Sequence, residues 1–459
     1  MSAANLDLTY QSQPDCKDLN HIPGNVGWPI VGRTPELIKD FRGLVEEHVS
    51  KYGHVSRIGL GFQRGVLITH PDHLKDIYLD RDRNFSTKMG YNETLGRFYT
   101  GGLLVRDWED HKIQRRIFQN SFKFEAMKGY VEIMNPVFEN GIKSWGDTPN
   151  FLFFPHIKEL LLEMATRVFI GVEDVRGPEA QRLSQAFIDI AEKGLMSILK
   201  YEIPGLSYYT GMKAKRLMLN YFNQLIPTRR AGNGKDTMSI LVKEKDENGN
   251  YFPDVDVANH LNFLLFAAHD TTTSALNHIL MYIAKPEYHH IQDAIRAEAT
   301  KLNKKFPDYE DLDNMVVTER AFLEGLRKHP SVSMMTRRTI RECEIGGYRI
   351  PANTVLFIAP HWPHNTNEFW SNPQQFDPER FSPERAEYKK HSFQFIPFGG
   401  GGHKCLGMNF AQMNAKLFLH QFLLKYKVTT VDPNYNPQMQ VVPLPKPVDN
   451  LPLILERIS

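Results

Sequence analysis

Apolar residues from Asp107 to about Leu326 recur mainly three or four positions apart, the spacing that gathers them on one face of a helix. The pattern breaks near Gly146, Pro204 and Gly249, so this stretch predicts a body of several helices. A shorter helical period runs from Thr34 to Tyr52. Between Gly53 and Thr69 the period falls to two, in Val55-Ser56-Arg57-Ile58-Gly59-Leu60 and Val66-Leu67-Ile68-Thr69, which predicts a small antiparallel sheet. More short strands are predicted after Pro330, where Gly346-Gly347-Tyr348-Arg349-Ile350-Pro351 and Thr354-Val355-Leu356-Phe357-Ile358 are divided by turn chemistry.

No repeat, low-complexity tract or Gly/Ser linker divides the chain. The pattern therefore predicts one large domain over 23–459, mainly α with small β-sheets. Its entry is the turn-rich Pro23-Gly24-Asn25-Val26-Gly27-Trp28-Pro29, after a polar segment over 1–22.

Composition narrows the classes of function. A 41% hydrophobic and 24% charged chain is an ordinary globular one, and 11% aromatic residues suffice to line an apolar cavity. A net charge of +2 supplies no basic field for nucleic acid. The three cysteines, Cys16, Cys343 and Cys405, are too scattered for a disulfide framework and suit a reducing cytosol. The polar start lacks a signal-peptide core, and no segment reaches the roughly 18 apolar residues of a membrane span. A soluble, cytoplasmic monomer without a transmembrane anchor is expected, with Leu261–Ala268 and Phe151–Phe154 as core.

One cysteine stands apart. In Phe398-Gly399-Gly400-Gly401-Gly402-His403-Lys404-Cys405-Leu406-Gly407 it follows four glycines and precedes an apolar helical pattern reaching Leu424. Glycines let the backbone turn tightly and approach a flat ligand, and a helix N-terminus would stabilise a thiolate. A lone cysteine makes neither a tetrahedral zinc site nor an iron–sulfur cluster, whereas haem needs only one. Phosphate binding is the other use of such a glycine run, but the strand–turn–helix context of a phosphate loop is missing. Taken alone, a free cysteine is most often a small buried hydrophobe.

The neighbours change that reading. Phe398-x-x-Gly401-x-His403-x-Cys405-x-Gly407 resembles the haem-binding signature of the cytochrome P450 family. The resemblance implies the cytochrome P450 fold and haem b, with Cys405 as axial thiolate and iron ligand. Phe398, Gly401 and Gly407 would shape the cofactor loop, and His403, where the family more often carries arginine, would meet a propionate.

Three further motifs follow the family's order. Ala267-Ala268-His269-Asp270-Thr271-Thr272 interrupts an apolar helix running roughly from Val257 to Ala284. In an arbitrary helix, Thr271 and Thr272 would simply bond back to carbonyls of the preceding turn. Here the segment resembles the oxygen-activation motif, which implies a locally bent helix over the haem and proton delivery by Asp270 and Thr271; Ala268 takes the usual glycine's place. Glu324 and Arg327 stand three apart on a predicted helix, which alone suggests a surface ion pair. With Arg380 downstream they resemble the Glu-x-x-Arg motif and its arginine partner, which implies a structural role beside the haem. Finally, Trp108, His111, Lys112 and Arg115 can share one helical face. They resemble the helix that contacts the propionates, a task Arg337 and His403 would share.

The resemblance covers the chain from Pro23 to its last strands. It implies a monooxygenase that inserts one oxygen atom of dioxygen into a lipophilic substrate. Electrons would come from a separate ferredoxin- or flavodoxin-type donor and its reductase, docked against a basic surface that includes Lys404. Pocket segments implied by the family are Met89–Leu104, Phe187–Tyr209, Phe263–Ala267 and Ser331–Thr336, and they lean toward a sterol, terpenoid or fatty acid. The same fold could also serve a peroxygenase, an isomerase or a non-catalytic haem carrier, and a helical scaffold without cofactor would leave the glycine run unexplained.

Overall fold

The computed structural model describes residues 8–174, 177–246 and 248–458. Its axis is a 30-residue helix, Asp254–Ile283, with Leu261, Leu276, Ile279, Leu280 and Ile283 fully buried. A helix apolar nearly all round belongs inside a protein. It is packed against the helices Phe153–Ala165, Ser207–Ala231, Val316–Lys328 and Met408–Lys425. Three of its buried polar side chains tack it to its surroundings. His260 Nε2 meets Gln114 Oε1 at 2.8 Å, Asn262 donates to the Phe98 carbonyl at 3.1 Å, and Ser274 donates to the Pro445 carbonyl at 2.8 Å. Each bond removes the penalty of a buried polar group and sets the rotation of the helix about its axis.

Strands from both predicted groups join in one sheet. Val55–Leu60 and Gln63–Ile68 pair antiparallel, Val55 opposite Ile68, and Gln63–Ile68 then pairs in parallel with Val355–Ile358, Gly65 opposite Val355. Met335–Thr339 and Phe85–Ser86 extend the far edge, and Gly24–Asn25 the near one. The Gly346-Gly347 turn, at φ +59° and +81°, closes the separate hairpin of Cys343–Ile345 and Tyr348–Ile350.

Two sequence expectations need correction. The helical period from Thr34 to Tyr52 is broken at Asp40, whose carboxylate accepts from the Gly43 N–H at 2.9 Å and caps a second helix, Phe41–Tyr52. The ordered chain does not wait for Pro23. Tyr10, Leu19 and Ile22 are buried, and Arg338 donates to the carbonyls of Tyr10 and Gln13 while pairing with Asp15 at 3.1 Å. Residues 8–22 are thus part of the domain, and only the first seven of the polar segment lie outside the described residues. The segment 267–272, where the resemblance implies a bend, lies within the continuous helix Asp254–Ile283.

Candidate functional site

Cys405 ends a tight loop and precedes the helix Met408–Lys425. Its N–H donates to the Phe398 carbonyl at 2.9 Å, and Gly399 and Gly401 take φ +68° and +60°. Gly401 has no substitute: a Cβ there would lie 1.7 Å from the Tyr78 carbonyl oxygen. Beside Gly407, by contrast, a Cβ would enter open space. The Cys405 side chain has free surface, yet burial among surrounding atoms pushes its pKa up, against the Gly407 N–H, Arg115 and Lys404, which lower it.

Cations gather beside this loop. On the helix Trp108–Phe118, His111 and Arg115 lie one turn apart on the same face. His111 stacks on His403 with centroids 3.8 Å apart, and Arg337, buried, acts electrostatically on both imidazoles. Among the described residues neither guanidinium has a carboxylate partner. The Arg115 guanidinium makes no hydrogen bond, and that of Arg337 only donates to the Thr336 carbonyl at 2.8 Å and lies over the Tyr78 ring. Cations withdrawn from water without a paired anion are costly, so this arrangement suits an anion. Burial first, then Arg115 and Arg337, lowers the His111 pKa to about 4, and burial with Arg337, His111 and Arg115 holds His403 well below the imidazole range. Without an anion both rings are neutral.

Not all of the predicted face joins in. Lys112 follows His111 by one residue, about 100° round the helix, and its side chain is 78% exposed beside Glu109. Trp108 instead donates its indole N–H to Asp80 at 2.8 Å, which anchors the start of the helix.

On the central helix, Thr271 donates its hydroxyl to the Ala267 carbonyl at 2.5 Å, leaving its oxygen lone pairs free as acceptors. Thr273, rather than Thr272, makes the next such bond, to the His269 carbonyl at 2.9 Å. The Asp270 carboxylate is 14% exposed and lies 3.0 Å from His269 Nδ1. Burial works to raise its pKa, but His269 and Lys158 outweigh burial and hold it below the usual carboxylate value. Facing this turn is Tyr99, stacked on Phe266 at 4.6 Å, with its buried hydroxyl unpartnered. His269 and Tyr99 were missed as individuals. The first occupies a variable motif position, and the second is one aromatic among several in 89–104.

Glu324, Arg327 and Arg380 are fully buried together. Arg327 donates to Glu324 in two parallel bonds of 2.7 and 2.8 Å and to the carbonyls of His364 and Pro373 at 2.7 and 2.9 Å. Arg380 adds a 3.5 Å contact to Glu324 and a 3.2 Å bond to Glu387, while the Asp377 N–H donates to Glu324 at 2.9 Å. The cluster fixes the segment 364–387 that leads into the cysteine loop.

The cysteine loop thus has beside it cations without carboxylate partners among the described residues, and the central helix carries an acid next to an alcohol. Among the described residues no group of three or more His, Cys, Asp or Glu could hold a bare metal ion. A model of the cytochrome P450 family matches residues 22–451. The chain belongs to the cytochrome P450 family. It is similar to a putative cytochrome P450 136 of Mycobacterium tuberculosis, at 32% identity over 96% of this chain and 90% of the relative. A β-amyrin 28-monooxygenase of Solanum lycopersicum is 26% identical over 94% of this chain and 92% of its own length. Retinoic acid-bound cyanobacterial CYP120A1 shares the fold, with a TM-score of 0.82 and 24% identity over 95% of this chain and 99% of that one.

As a P450 the protein is a haem-thiolate monooxygenase. Among the described residues of this P450, no helix is long and apolar enough to cross a membrane.

Proposed function

We propose that Cys405 is the axial thiolate of the haem, that His111, Arg115, Arg337 and His403 receive its propionates, and that the substrate is a lipophilic terpenoid, sterol or fatty acid. The observation that carries the assignment is the buried Arg337 and half-buried Arg115 guanidiniums, without carboxylate partners among the described residues, beside the exposed Cys405. Haem bound there supplies reductive activation of dioxygen, with thiolate donation favouring O–O cleavage.

The chain's own residues do the rest. The Gly407 N–H and the charge of Arg115 favour the Cys405 thiolate over the thiol. Asp270 moves a proton between the protein and the Thr271 side of the site, and Thr271, its hydroxyl hydrogen committed to Ala267, presents oxygen lone pairs toward that proton. Phe263, Phe266 and Tyr99 form an aromatic wall beside the same turn, which excludes water and suits an apolar substrate. The relatives named for β-amyrin and taxane oxidation, and the retinoic acid-bound neighbour, support a terpenoid-like substrate. Exposed Lys404 is part of the surface proposed to dock a ferredoxin- or flavodoxin-type donor.

The test is the absorption spectrum of the reduced protein with carbon monoxide. The red-shifted thiolate–haem band is expected in the wild type and lost in Cys405→Ala. Its absence from wild type that holds intact haem would sink the assignment.

A further inference from the structure

We propose that the cavity walled by residues 39–42, 329–333 and 439–445 binds a lipophilic monocarboxylic acid, whose carboxylate is received by Arg42 and His361. Among the described residues, none of those assigned to the haem or to proton transfer lines this cavity, so it is a second site.

The charge comes from Arg42, in the first turn of the helix Phe41–Tyr52. Its Nη2 donates to the Lys328 carbonyl at 2.6 Å and meets the His329 ring at 2.8 Å. Among the described residues its Nε and Nη1 have no hydrogen-bond partner, and no carboxylate pairs with the guanidinium. Asp40 and Glu46 act on it only at a distance, and Asp40 spends an oxygen on the Gly43 N–H at 2.9 Å. Burial dominates and lowers the Arg42 pKa, the mark of a cation withdrawn from water without an anion. Such a state is costly, and an incoming carboxylate relieves it.

A second donor follows from hydrogen bonding. The Asn365 side-chain nitrogen donates to the carbonyls of His361 and Arg327 at 3.1 and 3.3 Å, contacts its oxygen would not make. That nitrogen also lies 3.0 Å from His361 Nδ1, which therefore accepts and leaves the ring hydrogen on Nε2. Among the described residues this N–H has no acceptor, although His361 is only 4% exposed and lines the cavity. Phe41 fixes the ring, edge-on with centroids 6.4 Å apart. A carboxylate has two oxygens for these two donors and one charge for the one guanidinium, whereas exposed Asp40, also in the lining, disfavours a dianion. Phe41, Pro330, Val441 and Pro445 make much of the remaining wall apolar, and exposed Lys39 stands at the rim. About 220 Å³ of space suits an acid of medium chain.

The experiment uses the holoenzyme with phenylimidazole on the haem iron, which keeps the haem pocket occupied. Decanoic acid carrying a diazirine in its chain, photolysed on the wild type, is expected to label peptides containing 39–42, 329–333 or 439–445, and excess octanoate to suppress the labelling. By calorimetry, octanoate should bind once per chain and octanamide, which keeps the shape without the charge, about tenfold more weakly. Arg42→Gln should lower octanoate affinity about 10- to 100-fold and leave octanamide unchanged, and His361→Phe, which keeps a flat ring without the N–H, should lower it about fivefold. Labelling confined to other peptides, no octanoate binding, equal affinity for octanoate and octanamide, or an unchanged octanoate affinity in folded Arg42→Gln would overturn the proposal. If Arg42→Gln does not fold, the labelling and the acid–amide pair on the wild type decide it. The monooxygenase reading is tested separately by the thiolate band, so the two fail independently.

Discussion

His111 and His403 lie ring to ring, 3.8 Å between centroids and 28° between planes, although they come from distant parts of the chain. The stack holds two neutral imidazoles against two guanidiniums. The His111 pKa is lowered to about 4 by burial first and then by Arg115 and Arg337, from 6.5 when unfolded. Between these values the unfolded chain binds the extra proton, so stability is complete above pH 6.5 and is lost as pH falls toward 4. Haem-free protein should lose about 3 kcal/mol through this group. Urea titrations across that window check it, and His111→Phe, which keeps the ring without the titration, should flatten the slope.

Arg115 should act in opposite senses on the two forms of the protein. In haem-free protein its guanidinium is half-buried without an anion, so Arg115→Leu should leave stability unchanged or raise it by about 1 kcal/mol. In loaded protein the same change removes a charge-assisted bond, and haem transfer to an acceptor protein should become about 10- to 100-fold more favourable. Equal losses in both forms would mark Arg115 as structural only.

Glu324→Gln should be among the most damaging single changes outside the haem site. It leaves Arg327 and Arg380 buried with half their neutralising charge gone, at a cost of about 3–5 kcal/mol in urea denaturation. Glu379→Gln, which loses only the exposed pair with Arg320, should cost about 0.5 kcal/mol.

What could be read from the chain in advance depended on whether the information was local. Cys405 was legible because its glycine run and signature are contiguous, and Glu324 with Arg327 because a three-residue spacing is itself helix geometry. Lys112 was grouped with His111 because a helix's periodicity does not say which flank docks; here His111 faces His403 and Lys112 faces water. Residues 8–22 read as a polar segment because Arg338 holds them in part through backbone carbonyls, which leave no trace in side-chain pattern. His269 acquires its partner from a carbonyl on another helix, a contact that no motif records.

Tyr99 offers a different handle on substrate. Its hydroxyl is buried without a partner, a state that costs about 1–3 kcal/mol until something bonds to it. Tyr99→Phe should therefore stabilise ligand-free protein by about 1 kcal/mol. It should weaken ligands that carry an oxygen near this wall while leaving plain hydrocarbons unaffected, as read from haem spin-state titrations with matched ligand pairs.

The parallel pairing of Gln63–Ile68 with Val355–Ile358 bears on the order in which the molecule is assembled. Such a pairing closes a loop containing most of the helices, and loop closure over long separations is slow because its entropy must be lost before the contact gives anything back. The cysteine loop then seats its Gly401 against the Tyr78 carbonyl, on the helix Pro71–Leu79 that directly follows the first of those strands. A chain still emerging during synthesis thus has an acid and an alcohol on a finished helix but no floor on which a cofactor can settle. Completion of the cysteine loop is accordingly a late event of folding, and partly built chains pass through a stage in which apolar surface stands open to aggregation.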